Sequence, residues 1–346
     1  MKKIGQVLQI AFTFIGTVVG AGFATGQEIL QFFTRFGSLG GLAIFIAVGL
    51  FVWLGAKMML IAGQIGAKSY EDLNRVLFGR RAGYWVSLFM LVVLFGVNAV
   101  MLAGAGSVFV EHLNLSYQAG LLITMALCFV LLGKGMRAIV ALNSVVVPLM
   151  VLFTLLIVAR TLEMPEADRF LTLGSDHSPW AVWTSPLLYA AFNLSMSQAV
   201  LVPLGAEIAD RRIIIPGAAV GGIGIGFLLL AGHFALSANM PGITQFAIPM
   251  GGVARQLGST AQAIYLCLIF AEIFSTLIAD VYGLTLQLEE KLRWPRRLIV
   301  FGVLVVCFFA GQIGFAFLLS LLYPVFGIVS LGWMVLMIRK KSAKTA

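Results

Sequence analysis

Gly16-Thr17-Val18-Val19-Gly20-Ala21-Gly22-Phe23-Ala24-Thr25-Gly26-Gln27-Glu28 lies inside the first apolar segment of the chain. A plain membrane anchor would stay helical and greasy throughout. Four glycines within eleven residues, followed directly by Gln27 and Glu28, instead predict a helix that breaks at mid-membrane. Broken helices persist in a bilayer only where the freed backbone groups line a cavity or find partners. Their usual use is to hold a small solute or ion.

The rest of the chain is of one kind with this segment. Of 346 residues, 60% are hydrophobic and 11% charged, against roughly 25% charged in a soluble domain. Apolar runs long enough to span a bilayer recur from end to end, which makes the chain an all-α polytopic membrane protein with the lipid bilayer as its surroundings. The net charge of +9 does not point to nucleic acid, because the basic residues fall in short clusters between apolar spans. Cys128, Cys267 and Cys307 each sit in an apolar segment with no CxxC or Cys/His spacing, so neither a zinc site nor a disulfide framework is expected. The opening Met1-Lys2-Lys3 resembles a signal peptide, but Gln6 and Gln9 interrupt the apolar run, and the segment is expected to remain as the first helix.

Ten spans are expected, at about 5–35, 38–63, 83–110, 117–134, 138–160, 181–208, 214–238, 259–287, 297–313 and 315–338. With both termini cytoplasmic, nineteen of the 23 basic residues lie inside, and only Arg35, Arg160, Arg169 and Arg255 lie outside. That asymmetry matches the positive-inside rule for an even number of spans. The segment 69–78 (SYEDLNRVLF) reads as a short helix on the inner face, opened by Ser69 and early acids. Outside, 243–257 reads as a short helical cap broken by Pro249, Gly251 and Gly252. The stretch 163–179 is the only sizeable connector. Spans one and six both look interrupted, and Pro148 in span five is echoed by Pro324 in span ten. Two halves of five helices follow, 5–160 and 181–338, and an odd number per half makes the repeat inverted, with the site between its broken helices.

Three places could carry chemistry. At the first break, carbonyls of about 16–20 lose intrahelical partners and suit a cation, while the half-helix starting near Gly22 offers N–H groups and a positive dipole end to an anion. One gap would thus serve a zwitterion, with Gly20, Ala21, Gly22 and Phe23 as its substrate-facing residues; glycines that merely permit close packing are the plainer reading. Span six holds Phe192-Asn193-Leu194-Ser195-Met196-Ser197-Gln198 between Pro186 and Pro203. It is expected to unwind there and face a solute, with interhelical hydrogen bonding as the alternative. Span eight holds Glu272, Ser275, Thr276 and Asp280, whose adjacent hydroxyls are hard ligands for a monovalent cation. An acid deep in a bilayer needs a partner, a cavity or a proton, which makes Glu272, Glu28 and Asp280 proton candidates. Asn98 lies at mid-depth in span three, and His233 in span seven reads as a satisfied core histidine.

The 16–23 string resembles the first-helix signature of the amino acid–polyamine–organocation superfamily, the LeuT-fold transporters. The ten spans, inside termini and interrupted helices one and six resemble its 5+5 inverted repeat, and 19–30 (VGAGFATGQEIL) is similar to the YkvI-like bacterial membrane proteins. The resemblance implies residence in a bacterial cytoplasmic membrane and cation-coupled secondary transport of a small zwitterionic or carboxylated solute, an amino acid above all. No enzyme activity and no cofactor beyond a sodium ion or proton is implied. Amides near Ala21 and Gly22 would take the substrate carboxylate, and the Phe192-to-Ser195 stretch would complete its site with Asn98. Carbonyls of Gly16, Val19 and Glu272 and the hydroxyls of Ser275 and Thr276 would hold sodium. Span five carries no lysine between Ile139 and Val158 to replace that sodium, whereas Glu272 stands where sodium-coupled relatives have a small neutral residue, so a proton is the rival. A transport-inactive ligand sensor of the same fold is the alternative function.

Overall fold

The chain is helical throughout the residues that the structure, a computed structural model, describes: 2–67, 69–132 and 136–340. Lys68, Lys134, Lys341 and Lys344, which enter the charge asymmetry, lie outside them. In chain order the helices are α1 (Lys2–Val18), α2 (Ala21–Ala24), α3 (Gln27–Phe32), α4 (Leu39–Ile65), α5 (Tyr70–Leu113), α6 (Tyr117–Leu132) and α7 (Met136–Leu162). They continue as α8 (Arg169–Thr172), α9 (Pro179–Ile208), α10 (Arg211–Ala238), α11 (Pro249–Val253), α12 (Ser259–Leu292), α13 (Arg296–Gly311) and α14 (Phe315–Arg339). Among the described residues there is no strand, and six helices are long and apolar enough to cross a membrane. They become seven if Pro148–Leu162 and Pro165–Thr172, bent by 102° to each other, count as one span.

Two groups of helices make the bundle. In one, α1 packs on α9 and α10, and α4 packs on the same two. In the other, α5 and α12 pack on each other and draw in α6, α7, α13 and α14, with α14 also on α9 and α7 also on α10. Small residues bring the first group together, as expected where lipid supplies no hydrophobic drive for association. Gly217 and Gly221, one turn apart on α10, abut Ile10 and Phe14 of α1 so tightly that an added methyl group would collide with them. Gly222 and Gly226, on another face of α10, meet Val52 and Val48 of α4 in the same way.

Local signals set the shorter pieces. The Asp72 carboxylate accepts the Ser69 N–H at 3.2 Å and starts α5. Gly79, at φ 78°, adopts a left-handed conformation that glycine tolerates and turns the 70–78 helix away from the long span behind it. The 243–257 segment forms α11 between two 3₁₀ turns. It is fixed by the Glu111 carboxylate, which accepts the N–H groups of Ala247 at 2.7 Å and Ile248 at 3.1 Å. Arg35, Arg169 and Arg255 gather at this end of the bundle: the Arg35 carbonyl accepts from Ser175, Arg169 donates to the Met240 carbonyl, and Arg255 lies over the Phe246 ring.

One expectation about the elements fails. α9 runs unbroken for 30 residues through the polar stretch expected to unwind. Its polar side chains donate to carbonyls of their own helix, although Gln198 Oε1 stays buried without a partner among the described residues. Asn193 donates to the Tyr189 carbonyl at 3.0 Å, Ser197 to Asn193 at 2.7 Å and Gln198 to Ser195 at 2.7 Å. Back-bonding of this kind meets the hydrogen-bonding demand in apolar surroundings and removes the need for an unwound backbone.

Candidate solute and cation site

The helix that begins the chain stops at Val18. The Gly20 N–H turns back to the Val18 carbonyl at 3.0 Å instead of reaching Gly16. Among the described residues no backbone amide then meets the carbonyls of Gly16 or Val19. Gly20 itself is extended, at φ −110° and ψ −167°, and its carbonyl is taken by the Ala24 N–H at 2.9 Å. The chain resumes as the single turn α2, turns at Gly26 with φ 81° and continues as α3. The outer half expected from the sequence is therefore not one helix but two short pieces. Dipoles summed over so few aligned peptides give little end charge, which leaves the unpaired first N–H groups of α2, not a macrodipole, to act on an anion.

Beside this gap lies a cavity of about 400 Å³. Gly16, Gly20, Ala21, Gly22 and Glu28 line it from the first segment, Phe192 and Asn193 from α9, and Glu272, Ser275, Thr276 and Asp280 from α12. Ser275 donates its hydroxyl to the Glu272 carbonyl at 3.1 Å, which leaves its oxygen lone pairs free for a cation. The Thr276 hydroxyl faces Gly20: a methyl group there would lie 4.0 Å from its oxygen. Glu28 and Glu272 are buried, and Oε2 of each has no hydrogen-bond partner among the described residues. Asp280 is partly buried and lies further along α12, toward Gly283 and the Tyr70 end of the cavity.

Four expected site residues do not line this space. Ser195 turns away to the Ser330 hydroxyl at 2.9 Å and borders a second cavity, of about 280 Å³, walled by Trp85, Phe89 and Trp333. Asn98 is buried in α5, where its amide N–H back-bonds to the Leu94 carbonyl at 2.8 Å and its Oδ1 has no partner among the described residues. Val19 and Phe23 pack into the core, since the turn at Gly20 points their side chains into the bundle. His233 is held at Nδ1 by Thr34 at 3.0 Å and Ser237 at 3.2 Å, as a core histidine.

The sequence reading missed two tyrosines. Tyr323 of α14 lines the cavity with its ring 4.5 Å from that of Phe192. Tyr189 of α9 is fully buried among Phe32, Phe33 and Phe51, with its hydroxyl next to Glu28 but outside hydrogen-bonding geometry. The available signal was a polar tip inside an apolar span, and for Tyr323 its place directly before Pro324.

The break is also tied to the 243–257 segment. Met250 of α11 donates its N–H to the Thr25 carbonyl at 2.9 Å, and its side chain presses on Gly26 where no Cβ would fit.

No protein-family model matches the chain. Among solved structures it is similar to MhsT in complex with L-phenylalanine, with TM-score 0.69 and 15% identity over 93% of this chain and 87% of that one. A manganese transporter of Eremococcus coleocola aligns with TM-score 0.64 and 13% identity over 97% of this chain and 78% of the transporter. Mhp1, a nucleobase-cation-symport-1 family transporter, aligns with TM-score 0.61 and 13% identity over 95% and 71%. At such identities the likeness is one of fold, and that fold is LeuT-like. Among sequences, YyaD of Bacillus subtilis is 25% identical over 92% of this chain and 91% of its own length. YkvI, a membrane protein of the same organism, is 39% identical over 98% of this chain and 97% of its own. With that identity over nearly the full length of both, the chain belongs to the YkvI family of multi-pass bacterial membrane proteins.

Proposed function

We propose that the chain is a secondary transporter that moves a small zwitterionic or carboxylated solute, an amino acid above all, by alternating access, coupled to a monovalent cation, with sodium ahead of the proton. The observation that carries this reading is the cavity itself. The α1–α2 gap, the polar face of α9 and the hydroxyl pair of α12 converge on one space of about 400 Å³, a volume suited to a small solute.

The ten-span, 5+5 arrangement is part of the proposal. Exchanging the first five spans for the last five maps one set of packed pairs onto another. The α1–α10 pair becomes α9–α4, α5–α6 becomes α12–α13, and α12–α7 becomes α5–α14. This pattern supports a two-fold relation between the halves, with the cavity lying between α1 and α9.

Sodium would take the open carbonyls of Gly16 and Val19, the carbonyl of Glu272 and the hydroxyl oxygens of Ser275 and Thr276, a set of hard oxygens. Glu272, Glu28 and Asp280 favour the second reading, proton coupling, because buried acids facing a cavity are able to carry a proton across a bilayer. Solute uptake into proteoliposomes separates the readings. An imposed sodium gradient drives uptake at constant pH in the first, and a proton gradient without sodium drives it in the second. Uptake indifferent to both gradients would sink cation coupling.

A further inference from the structure

A second space in the bundle lies outside the proposed solute site. It is the cavity of about 280 Å³ between α5, α9 and α14, walled by Phe78, Trp85, Phe89 and Trp333. Met90 and Gln198 line this cavity and the larger one alike, so the two share a wall. Trp85 on α5 is 67% exposed and Val329 on α14 48%, so the space opens on the side of the bundle between these helices, at the end that carries 69–78.

The polar groups of its lining are incompletely used. Gln198 is fully buried; its amide N–H reaches the Ser195 carbonyl at 2.7 Å, and its Oε1 has no partner among the described residues. Trp333 is buried too, and its indole N–H likewise has no partner among the described residues. Ser195 gives its one hydroxyl hydrogen to the Phe192 carbonyl at 2.8 Å. The hydrogen of its 2.9 Å contact with Ser330 therefore comes from Ser330, whose lone pairs remain able to accept.

A buried donor or acceptor without a partner is costly, and a guest in the cavity can supply the missing partners. An acyl chain entering from the bilayer would leave each of them unmet. An ion would find no compensating charge, since the described lining holds no Asp, Glu, Lys, Arg or His. Rings contributed by both α5 and α14 suit a flat aromatic body. Mostly apolar walls with a few placed polar groups are the usual make-up of a small-molecule site.

We propose that this cavity is a second ligand site, for a small uncharged aromatic compound that carries both a hydrogen-bond donor and an acceptor, the donor meeting Gln198 Oε1 and the acceptor meeting the Trp333 indole N–H. The site is separate from the solute cavity and stands whether or not the chain transports.

Thermal stabilisation of the purified full-length protein tests it with two probes: 2-quinolinone, which holds an N–H beside a carbonyl, and 1-methyl-2-quinolinone, which keeps the ring and the carbonyl but not the donor. A ligand of the folded state raises the melting temperature according to its concentration relative to Kd. For one lost hydrogen bond, 2-quinolinone is expected to act at an about tenfold lower concentration than its methyl derivative. Trp333→Phe keeps a ring without the N–H and is expected to weaken both compounds, while Gln198→Met is expected to abolish the difference between them. Trp85→Ala, at the exposed rim where folding is not at stake, is expected to weaken both as well. No shift from 2-quinolinone overturns the proposal. Equal shifts from the two compounds in the wild-type protein overturn it too, and mark an apolar space open to any greasy guest, an acyl chain included. A Trp85→Ala protein that responds as wild type does places the compound elsewhere and likewise overturns it, even where the Trp333 and Gln198 variants do not fold.

Discussion

Gly22 and Glu28 illustrate how much rests on single residues here. The glycine has no side chain because the Glu28 carboxyl fills the place a Cβ would take. Gly22→Ala should therefore displace that carboxyl and cost about 1–3 kcal/mol, the usual range for overpacking. A melting temperature unchanged from wild type would show that the carboxyl moves aside freely. On α12, Ser275→Ala combined with Thr276→Ala removes two hydroxyl oxygens beside the open carbonyls of α1. The sodium concentration for half-maximal uptake should rise at least about tenfold, a loss of about 1.4 kcal/mol, with membrane insertion intact. Full sodium response in that double variant would remove the proposed cation site. Glu272→Gln keeps the size of the side chain but not its titration. Under sodium coupling the pH profile of uptake stays as in wild type, and under proton coupling it flattens.

At the scale of elements, the sequence marked the polar residues of α9 correctly but not what they do. A run such as Asn193, Ser195, Ser197 and Gln198 is compatible with an unwound backbone and equally with side chains that bond their own helix; the second is realised. Composition does not distinguish these, because both satisfy the same donors. The gap after Val18 differs. Gly20 and Gly26 there adopt, respectively, an extended and a left-handed conformation, and no side-chain hydrogen bond restores the helix. Packing of α10 is decided by its glycine pairs. Gly221→Leu should wedge α1 away from α10 through Phe14, lowering the melting temperature and folded yield, whereas Leu at Gly302, which has open space around it, should leave both near wild type. Equal effects at the two positions would mean that these contacts do not hold the bundle.

For the whole molecule, the proposed alternating access predicts that the cavity, which Tyr70 lines and which α11 does not, is reached from the end that carries 69–78. A thiol-reactive, membrane-impermeant reagent should label Ala279→Cys from that face and fail to reach it from the α11 face. Labelling from the α11 face alone would reverse the assigned sidedness. On the proposed reading, rocking of α1, α4, α9 and α10 against α5 and α12 would move the site, and the helices of each set pack on one another.

What the sequence determined by itself was the class of solvent and the place of the first interruption. Runs of apolar residues separated by basic clusters leave a chain no option but to span a bilayer as helices, and glycines at 16, 20, 22 and 26 weaken one helix regardless of its neighbours. It also singled out Glu272, Ser275 and Thr276 as polar groups in a setting that penalises them. Only the tertiary structure decided which of those groups share a space. Residues as far apart as Gly20, Phe192, Thr276 and Tyr323 meet across four helices, while Ser195 and Asn98 turn elsewhere, because helix rotation and neighbour contacts, not spacing along the chain, fix where a side chain points. The same is true of Glu28: its acidity was visible in the sequence, but its position against Gly22 follows from the left-handed turn at Gly26 between α2 and α3.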